Sequence, residues 1–320
     1  MKHKAHSVQN KTAAARNHSA MPPDNHIADY WLERLASACK QAHVDTACLG
    51  ITNHGSSIAV SYSHSAAPDH SSANPYPAFC VAKLFTSTLI ALLVMQGKLQ
   101  FDAEITGLLP ATSTAGVAST VLHGVTVAQL LAHTHGLCAL GLDAAPVQAD
   151  GFIDYEHVLC LLHSSGRMFA PGKFYSYGMA GYVVLGSIIE HITRQTYNQV
   201  LHQQILLPIA TRGTHLPDVG TCTASRPICP SSGRGLHLTP GDLLAFASGF
   251  LTPLARVLNL PDALLAQIFT TRKLLPGWSP TIAGSCYGWK NFANNWYGQN
   301  GIDKQHLMYV RINRATETAI

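Results

Sequence analysis

No apolar run in these 320 residues reaches the ~18 needed to cross a bilayer as a helix, so no membrane span is expected. Charge is scarce as well. Asp, Glu, Lys and Arg make up 12% of the chain, and the formal net charge is +4. The basic residues are scattered and form no patch for a polyanion, which excludes a nucleic-acid partner. The eight cysteines build no zinc pattern: Cys222 and Cys229 are too far apart for a knuckle, and the others stand alone. The 18 histidines are dispersed and read as compositional bias. The N-terminus opens Met1-Lys2-His3-Lys4 and stays polar to about Asn25, without the apolar core of a secretory signal. Together these absences imply a cytoplasmic protein with reduced thiols, no metal and no cofactor. Its oligomeric state is left open.

What the chain has in quantity is apolar residues, 47% of the total, enough for a large core. Residues 1–25 read as a tail. Ile27, Trp31, Leu35 and Ala38/Cys39 repeat as an amphipathic stripe, predicting a helix from about Ile27 to Gln41. That helix contains Ser37-Ala38-Cys39-Lys40, an S-x-x-K imitation with nothing else of a site around it. Thr46 to Thr52 and Ser57 to Ser63, joined through Asn53-His54-Gly55, predict a hairpin. A loop over 64–76 follows.

The next helix is the centre of the chain. From Cys80 to about Gln96 it is apolar nearly all round, as expected of a helix buried at the middle of a domain. Cys80 and Lys83, three residues apart at its head, share a face. A neighbouring ammonium and the positive end of a helix both favour thiolate over thiol, which makes Cys80 a candidate nucleophile.

Further helices are predicted over Val125–Ala132 with Thr126 as cap, over 153–164, and from Gly181 to about Arg194. Others are predicted from Tyr197 to Leu207, from Thr239-Pro240 to about Leu251, and from Pro261 to Thr270. Residues 211–235 are irregular. His133-Thr134-His135 lacks a nearby Asp, Glu or Cys to complete a metal set, so a tight turn with a histidine bonding backbone is expected. Tyr287–Trp289, Trp296–Gly298 and Leu307–Asn313 read as strands, and Thr318-Ala319-Ile320 as the start of another. The order is strands, a long helical middle, then strands. It predicts an α+β fold: an antiparallel sheet built from both chain ends, flanked by helices, around an inserted all-helical part.

Several segments, in order, resemble the serine β-lactamase-like and penicillin-binding-protein superfamily, in particular its class C β-lactamase, D-alanyl-D-alanine carboxypeptidase and esterase branch. The S-x-x-K helix is similar to Cys80-Val81-Ala82-Lys83. The L-L-T-H-T-S-G-L segment is similar to Leu130–Leu137, and the P-G-x-x-F-x-Y-S-N segment to the stretch from Pro171 that continues to Gly186. Gly235–Leu243, Cys286–Trp289 and Gln299-Asn300-Gly301 resemble three further family segments. The resemblance implies one β-lactamase-like domain over 26–320, with an α/β part (about 26–78 and 236–320) and a helical part (about 79–235). It also implies catalytic roles for Cys80, Lys83 and Tyr177. Met179 stands where the family has asparagine, and Gln299 where it has lysine or histidine. The oxyanion donors it implies are the N–H groups of Cys80 and Ile302, with Gln299, Asn300, Gly301 and Met179 lining the substrate. The expected function is a hydrolase or acyltransferase working through an acyl-Cys80 on a small-molecule ester or thioester without a carboxylate. The alternative is a catalytically silent member acting as a binding or scaffold module.

Overall fold

The computed structural model describes residues 25–64, 74–109, 118–138, 162, 164–211, 213–214, 232–233, 235–252, 257–277, 279, 281–302 and 306–320. The tail to residue 24, most of the helix expected over 153–164 and most of the irregular stretch 211–235 lie outside them.

An eight-stranded antiparallel sheet draws on both ends of the chain, as the strand pattern predicts. Its first strands are β1 (Thr46–Asn53) and β2 (Ser56–Ser63). His54 and Gly55 both have positive φ, 45° and 83°, which is the type I′ geometry whose twist suits a tight hairpin. After the short β3 (Tyr76–Pro77) and β4 (His237–Leu238), which pair with each other, the main sheet resumes. It continues with β5 (Lys273–Leu274), β6 (Ile282–Ser285), β7 (Lys290–Phe292), β8 (Trp296–Ile302), β9 (Leu307–Asn313) and β10 (Thr318–Ala319). The strand order is β2-β1-β10-β9-β8-β7-β6-β5. The two-residue β10 therefore joins the N-terminal hairpin to the C-terminal strands, pairing with Thr52 and Asn53 on one side and Ile312 and Asn313 on the other.

Helix α1 (Asn25–Ala42) carries the Cys39 imitation motif. Cys39 is buried while Ser37 and Lys40 are exposed, and burial pushes its thiol up. The periodicity overreaches at one end, where Ile27 is exposed.

The central helix α2 (Ala82–Met95) is buried from Ala82 to Leu93. Leu84, Phe85, Leu89, Ile90 and Leu93 belong to one continuous core. Its four buried polar side chains are bound, as burial demands. Thr86 donates to Ser232 O at 2.6 Å, Ser87 to Tyr287 O at 2.7 Å, Thr88 to Leu84 O at 2.8 Å and Lys83 to Gly233 O at 3.0 Å. Around it pack α3 (Ala118–Leu122), α4 (Val127–Leu131), α5 (Ala180–Thr193), α6 (Tyr197–Leu201), α7 (Pro240–Ser248) and α8 (Asp262–Phe269). Phe85 of α2 stacks on Phe246 of α7 with ring centroids 3.9 Å apart.

Two local expectations are corrected. Cys80 does not sit in the first α-helical turn. Phe79–Val81 form a tighter 3-10 turn, and the α-helix begins at Ala82. Phe79, with φ of 45°, is the bend that swings the chain from β3 into that turn. Tyr287–Trp289 are not a strand but the turn between β6 and β7, closed by Cys286 N–H donating to Trp289 O at 2.8 Å. Gly288 requires it: its φ is +78°, and a Cβ there would stand 2.6 Å from Ser87 Cβ. The turn is the point where the sheet rests on α2.

Candidate active site

Three segments meet at the head of α2. The first is the 3-10 turn with half-buried Cys80. One turn on, Lys83 is fully buried and its ammonium donates to the Gly233 carbonyl. Gly233 lies in the irregular stretch and carried no signal in the sequence.

The second segment is the loop before α5. Met179 is the N-cap of α5, and a Cβ on Gly233 would touch its Cγ and Sδ at 4.0 Å. Met179 thus packs on the carbonyl-bearing residue that holds Lys83. Tyr177 has its hydroxyl enclosed and facing Cys80. Burial, then the nearby Cys80, hold the phenol well above its ordinary range, so it is a protonated donor. Two ammonium groups lie over its ring: Lys83 Nζ at 5.2 Å and Lys290 Nζ at 4.8 Å from the centroid. Such contacts are worth about 2 kcal/mol when desolvated.

The third segment is the sheet. Gly301 of β8 lies so close to the turn that a Cβ would overlap the Ala78 carbonyl oxygen. Glycine there brings the strand against the chain two residues before Cys80. Ile302 follows at the strand end with its side chain exposed. Gln299 is buried and braced, donating to Gly288 O at 3.3 Å and accepting from Asn300 N–H at 3.1 Å. Asn300 accepts from Arg311 at 2.6 Å.

Lys290, on β7 opposite Gly298, was not singled out by its sequence. The available signal was a charged residue beside Trp289 in a stretch that alternates into a buried strand. Burial lowers its ammonium to about 8, with Arg311 and Lys83 adding to that and Cys80 opposing it.

His133 adjoins this group, its ring centroid 4.4 Å from that of Tyr177. Its Nδ1 accepts from Gly178 N–H at 3.4 Å, and His135 Nδ1 accepts from Leu137 N–H at 2.9 Å. Both rings bond backbone in a tight turn, with His133 at φ 59° and Gly136 at φ 76°. Burial lowers both, His133 well below its usual value and His135 to about 4, so both are neutral. Among the described residues no three His, Cys, Asp or Glu side chains gather as a metal cluster.

A sheet from both chain ends, a buried central helix and a lysine-bearing turn at its head define the β-lactamase and transpeptidase type of fold. The model of the β-lactamase family matches residues 29–320, and the chain belongs to that family. Penicillin-binding protein 4 of Amycolatopsis lactamdurans is 26% identical over 331 residues, covering 88% of this chain and 81% of that protein. A class C β-lactamase mutant shares the fold with a TM-score of 0.74 at 14% identity, over 95% of this chain and 93% of the other. The D-amino acid amidase of Ochrobactrum anthropi SV3 does so with a TM-score of 0.73 at 16% identity, over 92% and 89%. No helix among the described residues is long and apolar enough to cross a membrane.

Proposed function

We propose that this chain is a β-lactamase-family hydrolase or acyltransferase that works through an acyl-enzyme on Cys80, with an ester or thioester as acyl donor. The observation that carries the reading is Tyr177, its hydroxyl beside Cys80 and its ring under the Lys83 ammonium, at the head of a rigid, buried helix. A thiol in reach of ammonium groups is partly thiolate at neutral pH and does not need a base during attack.

The thiolate sulfur attacks the acyl carbon, and the bond from that carbon to the leaving oxygen or sulfur breaks. Tyr177, held as a neutral phenol, passes a proton to the departing atom. Water or an amine then attacks the acyl-Cys80 thioester. The carbon–sulfur bond breaks, the thiolate returns, and the acceptor's proton restores the one the leaving group took. The N–H groups of Cys80 and Ile302 are the oxyanion donors of this reading, supported by the close approach of Gly301 to Ala78. Lys83, donating to Gly233, acts as a fixed charge.

Incubation with aryl esters and acyl thioesters, followed by intact-mass measurement, tests the reading. A Cys80 adduct that turns over in wild type and is absent in Cys80→Ala supports it. No adduct from any of these donors overturns it in favour of a silent member of the family.

A further inference from the structure

Lys290 has no part in the reaction as written above, and its position asks for one. It reaches the site from β7, the strand beside the one that holds Gln299. Its ammonium lies 4.8 Å from the centre of the Tyr177 ring, and Tyr177 also faces Cys80 and Lys83. Among the described residues, the titratable groups around it come from several elements. They are Cys80 on the 3-10 turn, Lys83 on α2, His133 after α4, Tyr177 before α5 and Arg311 on β9.

Tyr177, His133 and Arg311 are each settled in one protonation state near neutrality. Lys83 is wholly buried and donates to the Gly233 carbonyl. Tyr177 is held as a phenol. His133 accepts from Gly178 N–H, which fixes its proton on Nε2. Arg311 is spent on Asn300 and the Gln299 and Val310 carbonyls. Lys290, at 8% exposure, is buried yet closer to solvent than Lys83 at 0%. Burial lowers its ammonium to about 8, so it gains and loses a proton close to neutrality.

We propose that Lys290 is the second lysine of the reaction: as an ammonium it pairs with the Cys80 thiolate, and as an amine it activates the acceptor that releases the acyl group. This rests on Cys80 as the reacting residue. The resting pair is thiolate and ammonium. When the sulfur acylates, its negative charge disappears, and Lys290 sends a proton through the Tyr177 hydroxyl to the leaving group. The site then holds a neutral thioester and a neutral amine. Water or an amine acceptor gives a proton to the Lys290 amine as it attacks the thioester carbon. The carbon–sulfur bond breaks, and the thiolate and ammonium are restored together. No proton is gained or lost over the cycle beyond those of donor and acceptor.

Charge and basicity separate with two substitutions. Lys290→Arg keeps the charge and supplies no base near neutrality; Lys290→Met removes both. The first measurement is the pH profile of Cys80 alkylation by iodoacetamide, which needs no acyl donor. Lys290→Met should slow alkylation at pH 7 about tenfold, the effect of one unit on the thiol, and Lys290→Arg should leave it near wild type. The second is single-turnover release of acyl-Cys80. Both variants should slow it on the order of 10²-fold. Thermal melting by circular dichroism checks that each variant is folded, and Lys290→Gln replaces Lys290→Met should that variant fail to fold. Wild-type alkylation in the folded neutral variant overturns the pairing, and wild-type release in Lys290→Arg overturns the base. If no donor acylates Cys80, the acyl-enzyme reading fails and the base role with it. The alkylation profile still decides the pairing.

Discussion

Lys83 and Gly233, 150 residues apart, are joined by one hydrogen bond of 3.0 Å inside the core. That bond ties the first turn of α2 to Gly233 across the core. Lys83→Met removes the donor and leaves a buried carbonyl without it. We expect a stability loss of about 1–3 kcal/mol, read as a lower midpoint in urea. Alkylation of Cys80 at pH 7 should slow at the same time. An unchanged alkylation rate would remove Lys83 from the activation of the thiol.

Tyr177→Phe should separate thiol reactivity from turnover. The ring and both ammonium contacts remain, but the hydroxyl that faces Cys80 is lost, so alkylation of Cys80 at pH 7 should slow modestly, by less than about tenfold. Thioester turnover should fall on the order of 10²-fold or more, because the proton to the leaving group is lost. Since the phenol is held well above its usual value of 10.0, wild-type turnover should show no alkaline limb from Tyr177 below pH 10. A limb that vanishes in Tyr177→Phe would contradict this.

Gly301→Ala places a methyl against the Ala78 carbonyl oxygen, which is backbone and has little room to retreat. The strand must move away from the Cys80 turn. A displacement near 1 Å at such a place costs turnover on the order of 10²-fold. The rest of β8 keeps its register with β9, so circular dichroism should stay close to wild type. Full activity in Gly301→Ala would place the oxyanion donors elsewhere.

Acid should weaken the fold through the buried histidines. His133 and His135 are neutral in the folded chain and titrate near 6.5 when unfolded. Below pH 6.5 the unfolded chain takes up protons that the folded one refuses, so stability present above 6.5 is lost as pH falls. For His135, whose folded value is about 4, the loss levels off near pH 4 and totals about 3 kcal/mol. Urea midpoints at pH 7 and pH 5 should show the drop, and His135→Asn should reduce it. A midpoint that does not change over this range would mean the rings are protonated in the fold.

Features legible in the sequence are those set by neighbours along the chain. Thr239 followed by Pro240 announces α7, and Thr239 Oγ1 accepts from Asp242 N–H at 3.1 Å. Thr126 and Gln129 form a reciprocal capping box at the start of α4. The burial of α2 follows from its unbroken apolar surface. Distant encounters left no local trace. Tyr287-Gly288-Trp289 has the aromatic content of a strand, but the contact of Gly288 with Ser87 makes it a turn. Gly233 and Lys290 enter the site because loop and sheet are folded against α2, and neither residue's neighbours along the chain record that meeting. Cys80, Lys83 and Tyr177 are candidates because spacing and order along the chain single them out, whereas Gly233 and Lys290 have no such signal.

The two residues of β10 also set a timetable for folding. The hairpin of β1 and β2 can form early from local contacts, but the partner of Asn53 is Thr318, 265 residues further along the chain. Until that segment arrives, the Thr52–Asn53 end of that edge of β1 stands without its partner, open to pairing with another chain. Closing so long a loop is slow. Crowded synthesis should therefore favour aggregation through β1, and a peptide that pairs at Thr52–Asn53 should intercept the nascent hairpin but not the finished sheet, where β10 holds those positions.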